Sequence, residues 1–321
     1  MAETLIRGKK KTRINNILKI MLALSLIYMS CNNNGGADKE IYYYKELPND
    51  TEVEKTHVFL IGLDGWGGYS VASEKFNMPT VTELMNNGCY TLKALNVIPT
   101  ISLPNWSSMF MGTSPSITGY KTNKPSKADS KIVDIYGLFP SIFTLTKNQR
   151  PKCKVAFFYE WNENGSLCPD NTIDKKQRSN LSKNVSPVTD YIRAEKPNLC
   201  LIIIDEPDGV GHSTGHNTNA YYEELTKLDG LIAEIIQTIK DSGIWDNSVI
   251  IFSSDHGGVG KGHGGGTLLE REIPLIIFGN KIKKGMQISQ KVMIYDIAAT
   301  VAYILKLETP SFWEGKLINV F

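Results

Sequence analysis

The sequence is poor in cysteine, nearly neutral in charge and without a long hydrophobic run. It has 321 residues, five cysteines and a formal net charge of +2. None of the cysteines has metal-site spacing, and the small net charge gives no sign of a nucleic-acid groove. The apolar run Ile20–Met29 falls short of the ~20 residues that a transmembrane helix needs. Internal repeats and low-complexity tracts are lacking as well, which leaves a globular protein with enough chain for one large α/β core.

The first thirty residues have the shape of a targeting segment. Six basic residues precede the apolar run, which suits the core of a signal peptide. Ser30-Cys31 and the polar stretch 32–36 then resemble a bacterial lipoprotein cleavage site, with Tyr28 where that pattern prefers Leu. We predict a signal peptide over residues 1–30 and a lipidated Cys31 on a flexible tether over residues 31–55. An ordinary signal peptide and an uncleaved anchor are the alternatives.

This interpretation predicts export to the bacterial cell envelope or periplasm, with a membrane attachment through the lipid on Cys31. Such a compartment is oxidising. Cys153 and Cys168 flank a short segment and could pair, whereas Cys200 lies inside an apolar strand pattern and is expected to be buried. Without the basic N-terminal segment, the rest of the chain is slightly acidic.

Residues 56–321 alternate between strand-like and helical patterns. The alternation predicts an α/β fold with a doubly wound, mostly parallel central sheet flanked by helices. The predicted strands are His57–Leu63, Lys154–Tyr159, Asn198–Ile204, Ser248–Ser253 and Ile273–Phe278. The clearest predicted helices are Pro79–Asn87, Asn219–Lys240 and Ile294–Leu305. The least regular part is 121–190, where residues 121–131 and 160–174 are either loops over an active site or surface insertions.

Acidic residues and histidines follow the ends of three predicted strands, where ligands of open α/β sheets bind. Three of the five histidines fall in Gly-rich loops together with aspartates. Aspartate and neutral histidine are usual zinc ligands, and six of them suffice for two divalent ions with an open position on each. We therefore predict two divalent metal ions, with zinc as the expected metal. The six candidates are Asp64, Asp208, His212, Asp255, His256 and His263. His57 begins a strand and is interpreted as structural, while His216 competes for a ligand role.

The candidate nucleophile is Ser102, at the predicted start of a helix. Unpaired backbone N–H groups at such a position hold phosphate well, and Pro104 suits the first helical turn. A hydroxyl bound to a metal loses its proton more easily and becomes a usable nucleophile. Ser102 could instead be a helix cap, and Thr100 is a competing hydroxyl.

Four segments in order along the chain resemble the alkaline phosphatase superfamily, and within it the type I phosphodiesterase/nucleotide pyrophosphatase family. They are Phe59–Gly65, Pro99–Asn105, Asp208–His212 and Ser254–Gly257. The resemblance implies a metal-dependent phosphoric ester hydrolase that acts on a small phosphate ester, such as a nucleotide, through a phospho-serine on Ser102.

The resemblance also assigns roles to individual residues. It implies that Asp64, Asp255 and His256 bind the metal that activates Ser102, which is itself a ligand. Asp208 and His212 match two ligands of the second metal, and His263 remains for the third position, with His216 as the alternative. Asn123 matches an amide that donates to the phosphoryl oxygen.

The sequence departs from the family pattern at three points. Trp106 stands where the family commonly has His, the last His candidate follows closely after His256, and a large insertion is lacking. A phosphomonoesterase of the same superfamily therefore remains an alternative. A sulfatase is disfavoured because the serine motif lacks its Arg, and a surface lipoprotein that binds without catalysis is disfavoured by the complete set of candidate ligands.

Overall fold

The computed structural model describes residues 39–321. The predicted signal peptide and Cys31 lie outside these residues. Within the described part of the chain, no helix combines the length and the apolar character that a membrane crossing requires.

An eight-stranded sheet forms the centre of the fold and confirms the predicted class. Seven of its strands run in one direction, and only β9 is antiparallel. The strand order is β10-β3-β9-β8-β2-β7-β5-β6. The bounds are β2 His57–Leu63, β3 Cys89–Leu95, β5 Val155–Tyr159, β6 Lys175–Arg178, β7 Leu199–Ile204, β8 Ser248–Ser253, β9 Glu272–Gly279 and β10 Met286–Gln287.

The middle strand β2 shows why the sheet is covered on both faces. All seven of its residues are buried, and its side chains alternate between two hydrophobic clusters. Val58 and Leu60 belong to one cluster, and Phe59, Ile61 and Leu63 belong to the other. A strand buried on both faces reads as a continuous apolar run, which is the pattern that predicted this strand.

Helices of very different length surround the sheet. α4, α6 and α11 contribute to the first cluster, and α3, α7 and α9 contribute to the second. The bounds are α1 Thr51–Glu54, α2 Gly68–Val71, α3 Pro79–Asn86, α4 Ser102–Met111, α5 Pro115–Thr118, α6 Ile142–Gln149, α7 Ser186–Glu195, α8 Asp208–Thr214, α9 Asn219–Asp241, α10 Leu268–Arg271 and α11 Asp296–Ile304. Short 3₁₀ turns cover Pro125–Lys127, Asn162–Leu167 and Trp245–Asn247.

The structure differs from the sequence prediction in its edge elements. Within the segment predicted as a tether, β1 (Glu40–Tyr42) pairs with β4 (Ile132–Asp134), and Val53 of α1 is buried in the first hydrophobic cluster. Tyr44 binds both Asp134 (2.6 Å) and Thr144 (2.5 Å), so residues from 39 onward belong to the folded domain. The polar composition of this segment reflects edge positions with little burial.

Other edge elements were not predicted, for the same physical reason. β6 and β10 are the two edge strands of the sheet, and β3 lies next to β10 and alternates between buried and more exposed residues. The four described cysteines are free and buried, so Cys153 and Cys168 do not pair. Cys200 is fully buried in β7, as its apolar surroundings predict.

Candidate active site

The six candidate ligands meet at one rim of the sheet because they follow strands that run in parallel. Asp64 comes directly after β2, and Asp208 opens α8 shortly after β7. Asp255 and His256 follow β8, and His263 lies in the Gly-rich loop that comes next. The carboxyl ends of neighbouring parallel strands therefore bring together residues that are far apart in the sequence.

One group of side chains surrounds the hydroxyl of Ser102. His256 Nε2 lies 3.3 Å from Asp255 Oδ2 and 3.5 Å from Asp64 Oδ1. Ser102 Oγ lies 3.4 Å from the same nitrogen. The ligand atoms of the two aspartates and His256 all lie within 4.8 Å of one another, and all three side chains are buried.

A second group stands beside the first. His212 Nε2 lies 3.1 Å from Asp208 Oδ2 and 3.1 Å from His263 Nε2. His263 Nε2 lies 3.7 Å from Asp208 Oδ1, and its ring stacks on that of His256 with centroids 3.7 Å apart. Asp208, His256 and His263 also place ligand atoms within 4.8 Å of one another. The two groups thus touch through the stacked imidazoles.

The spacing of these atoms fits divalent metal ions. Two ligand atoms on a tetrahedral zinc, each at about 2.0–2.2 Å from the ion, lie roughly 3.3–3.6 Å apart. The observed separations within the groups lie close to that range. Three carboxylate oxygens, Asp64 Oδ1, Asp208 Oδ1 and Asp255 Oδ2, are buried without a hydrogen-bond partner. Buried anionic oxygens without a partner are costly, and a cation would satisfy those of Asp64 and Asp255.

Backbone carbonyls orient all three histidines of the two groups. Nδ1 of His256 lies 3.0 Å from Gly257 O, Nδ1 of His212 lies 2.9 Å from Lys261 O, and Nδ1 of His263 lies 2.9 Å from Thr100 O. A carbonyl oxygen only accepts, so each Nδ1 carries the proton. Each Nε2 is then left with a free lone pair that faces the carboxylates, as in the outer shell of known metal sites.

Burial makes the first group electrostatically unfavourable without a cation. It raises the pKa of Asp64 and of Asp255 well above the ordinary carboxyl range, and the neighbouring carboxylates raise both further. Burial also lowers the pKa of His256 well below its usual value, so this imidazole is neutral. A bound metal ion would favour the ionised form of both carboxyl groups and could use the neutral imidazole as a further ligand.

Ser102 and Thr100 occupy different environments. Ser102 is the first residue of α4 and makes no capping hydrogen bond, so the alternative of a helix cap does not hold. The Thr100 hydroxyl instead donates to Gly265 O and accepts from Gly264 N, each at 2.9 Å. Thr100 therefore anchors the loop that carries His263, and of the two hydroxyls Ser102 is the one that faces the candidate ligands.

A cleft of about 270 Å³ opens over both groups. It is lined by Asp64, Ser102, Asn123, Trp161, Asp205, Asp208, Gly209, His212 and His263. Asn123 Oδ1 accepts from the backbone N–H of Leu103 at 2.9 Å, which leaves its Nδ2 group as the donor available to the cleft. The irregular segments 121–131 and 160–174 each contribute one residue to the lining of the cleft, Asn123 and Trp161 respectively.

The two remaining histidines differ in position, since His57 is remote from the two groups and His216 lies beside the second one. His57 is at the start of β2, and its Nδ1 lies 2.8 Å from Pro197 O, which agrees with a structural role. His216 is buried behind Asp208, with Nε2 3.6 Å from Asp208 Oδ1. His216 belongs to neither set of mutually close ligand atoms, whereas His263 does.

Several residues that support the site carry no signal in a single sequence. Trp106 Nε1 donates to Asp64 Oδ2 at 3.3 Å, and the buried Asn96 Nδ2 donates to the backbone carbonyl of Asp255 at 2.9 Å. Asp205 and Trp161 both line the cleft, and the backbone N–H of Trp161 donates to Asp205 Oδ1 at 3.2 Å. Asp205 follows a strand directly, as Asp64 does, and that position alone could have marked it.

Fold and site together define a member of the alkaline phosphatase superfamily. The sequence model of the family described as type I phosphodiesterase / nucleotide pyrophosphatase matches residues 58–261. The chain therefore belongs to this family, whose members are metal-dependent hydrolases.

Individual relatives agree with this assignment. Ectonucleotide pyrophosphatase/phosphodiesterase family member 1 from Mus musculus is 25% identical over 230 residues, which cover 64% of this chain. The match spans only 24% of that longer protein.

Solved structures share the fold at low sequence identity. An inactive variant of murine ENPP5 in complex with AMP has a TM-score of 0.66 and 14% identity, covering 81% of this chain and 97% of that one. A 2-O GAG sulfatase has a TM-score of 0.68 and 13% identity, covering 82% and 73%.

Proposed function

We propose that this protein is a zinc-dependent phosphodiesterase that uses Ser102 as its nucleophile. The observation that carries the proposal is the position of Ser102 Oγ, 3.4 Å from His256 Nε2 at the edge of a buried cluster of carboxylates and imidazoles. Asp64, Asp255, His256 and Ser102 would hold one ion, and Asp208, His212 and His263 would hold the other. Such ions neutralise charge on the phosphoryl oxygens and favour loss of the serine proton.

The charge of the cleft favours a diester over a monoester. Among the described residues that line the cleft there is no Lys or Arg, while Asp205 adds a carboxylate beyond the proposed ligands. A phosphodiester carries one negative charge, whereas a phosphomonoester carries nearly two at neutral pH. The second charge would find no cationic side chain, so the diester is the better substrate. The AMP complex of the ENPP5 relative supports a nucleotide-like substrate.

The side chains support a double displacement. Ser102 Oγ attacks phosphorus as the bond to the leaving alcohol breaks. The alcohol takes up the proton that the serine loses, and the product is a phospho-serine that keeps the second ester group of the substrate. Asn123 Nδ2 donates to a phosphoryl oxygen as charge develops there, because its Oδ1 is fixed by Leu103 N–H. Water then cleaves the phospho-serine bond and restores the Ser102 hydroxyl.

A panel of p-nitrophenyl esters tests this proposal. The purified protein is assayed with zinc on the thymidine monophosphate diester, the phenylphosphonate, the phosphate and the sulfate. We expect the highest kcat/KM for the two monoanionic phosphorus esters. A preference for the phosphate would identify a monoesterase, a preference for the sulfate would identify a sulfatase, and either would refute the proposal.

Two serine variants separate chemistry from folding. Ser102→Ala is expected to lower kcat by roughly 10³-fold or more, because the nucleophile is lost. Ser107→Ala is the matched control, since Ser107 is buried in the same helix and its hydroxyl only donates to Pro104 O. A Ser102→Ala variant with wild-type turnover would rule out the phospho-serine.

A further inference from the structure

His216 is buried beside the candidate ligands and has no hydrogen-bond partner. Its side chain is 0% exposed, and neither Nδ1 nor Nε2 contacts a donor or acceptor at hydrogen-bond distance in the described part of the chain. A neutral imidazole always carries one N–H, and burying that group without an acceptor is costly. Such a position calls for a specific partner.

Gly211 and Gly258, which lie close to the candidate ligands in the sequence, make room for the imidazole ring of His216. A Cβ added at Gly211 would lie 2.4 Å from His216 Cε1, and one added at Gly258 would lie 2.4 Å from Cδ2 and from Nε2. Gly211 lies in the segment between Asp208 and His212, and Gly258 follows Asp255-His256-Gly257. Helix α8 and the loop after β8 thus form a slot that can hold the imidazole ring only because Gly211 and Gly258 lack side chains.

The environment of His216 differs from that of the other three active-site histidines. His212, His256 and His263 each place Nδ1 against a backbone carbonyl, which turns the lone pair of Nε2 toward the site. His216 has no such carbonyl at Nδ1. The carboxylate oxygen Oδ1 of Asp208 lies 3.6 Å from its Nε2, which favours the tautomer that carries its proton on Nε2.

The geometry points to His216 as a positioning residue for Asp208. The Nε2–H group of His216 faces Oδ1 of Asp208, which has no hydrogen-bond partner of its own. The 3.6 Å separation is just beyond hydrogen-bond distance, so we assign the hydrogen bond to the metal-bound state. In that state Oδ1 would accept from His216, and Oδ2, 3.1 Å from His212 Nε2, would bind the second ion. His216 is then an outer partner of the second ion and not a ligand. The inference rests on the proposed function, because it requires a metal at Asp208.

Zinc affinity is the direct measure of this role. The metal-free protein is titrated with zinc against a chromophoric chelator, and the number and strength of its sites are compared with those of two variants. His216→Phe fills the slot without a donor and is expected to weaken one of two sites by about 10- to 100-fold. His216→Gln supplies an amide N–H toward Asp208 and is expected to recover most of that loss.

A second buried histidine provides the matched control. His57→Phe removes an imidazole at the start of β2, where its partner is Pro197 O, and should leave both zinc affinities unchanged. If His216→Phe fails to unfold cooperatively, His216→Asn replaces it, because the shorter side chain cannot reach Asp208.

The outcomes separate the possible roles of the ring. A Phe variant that binds both ions with wild-type affinity would show that the ring only fills space. Equal loss of one ion in the Phe and Gln variants would make His216 a ligand. Either result overturns the inference, whereas a wild-type protein that binds no zinc would overturn the proposed function itself.

Discussion

Trp106 illustrates how one side chain can change without disrupting the site around it. It stands where the family resemblance leads to a histidine, and its indole ring is fully buried between α4 and β2. The Nε1–H group donates to Asp64 Oδ2 at 3.3 Å, which leaves Oδ1 directed at His256. The departure therefore supplies an outer partner for a proposed ligand and does not argue against a metal at this position.

Asp205 is the residue that we expect to set charge preference in the cleft. The pKa of Asp205 is raised to about 7, mainly by burial and secondly by the negative charge of the nearby Glu160. Its carboxyl group is therefore ionised at pH 8 and mostly protonated at pH 6. Only in the ionised form does it repel the second charge of a phosphomonoester.

Replacement of Asp205 tests this effect. Asp205→Asn keeps the oxygen that accepts from Trp161 N–H and removes the charge. At pH 8, kcat/KM for p-nitrophenyl phosphate should rise roughly three- to tenfold, with a smaller change for the diester. The difference from wild type should shrink at pH 6. An equal change for monoester and diester at both pH values would contradict a charge effect.

At the scale of elements, the site depends on how closely α4 packs on β2. Gly62 lies in β2 beneath Trp106, and a Cβ there would lie 2.4 Å from one carbon of the indole and 2.6 Å from the next. All ten residues of α4 are buried, so the helix is packed on every side and cannot shift without displacing its neighbours. The close approach of helix and strand places both Ser102 and the indole that contacts Asp64.

Gly62→Ala is expected to disturb both stability and zinc binding. Overpacking of this kind costs about 1–3 kcal/mol in the free energy of unfolding. Because Trp106 must shift, zinc affinity at the Asp64 group should fall as well. Gly230→Ala in α9 is the control, since a Cβ there meets nothing within 4 Å and should slightly increase stability. Equal stability of the two variants, measured by denaturant unfolding, would refute the tight contact.

At the scale of the whole molecule, the sheet brings several aspartates together, and no Lys or Arg among the described residues of the cleft offsets their negative charge. Asp64 and Asp255 follow its two central strands, and burial raises their pKa values above those of the unfolded chain. The metal-free folded protein therefore holds protons that the unfolded protein releases. Its stability should fall as the pH rises above the ordinary carboxyl range, and bound zinc should offset that fall.

Thermal unfolding with and without metal tests this balance. Zinc at about 100 times its dissociation constant should add about 2.7 kcal/mol, or roughly 5–10 °C in Tm. At one fixed zinc concentration the increase should grow as the pH rises, because zinc must displace the protons of Asp64 and Asp255, whose pKa values burial raises. Calcium, which prefers more oxygen ligands, is the control and should have little effect. A zinc effect that decreases with pH would contradict the assigned charges.

Sequence patterns were sufficient for the central strands and for the candidate ligands. β2 and β8 have the predicted bounds because both lie in the middle of the sheet, where burial on both faces produces an unbroken apolar run. The six candidate ligands follow such strands, so their convergence could be predicted from the parallel topology. Export and lipid attachment through Cys31 stay predictions, since residues 1–38 lie outside the described part.

Only the tertiary structure decided which polar groups contact one another around that site. His263 and His216 were alternatives in sequence, and they separate only because Thr100 O orients one ring while Gly211 and Gly258 enclose the other. These contacts join segments that are up to 163 residues apart, and no local pattern encodes them. The sequence by itself determined the central strands, the polar residues that follow the ends of these strands, and the residue types that suit metal binding. Packing determined which ring nitrogens are free, because that depends on the neighbour each ring meets after folding.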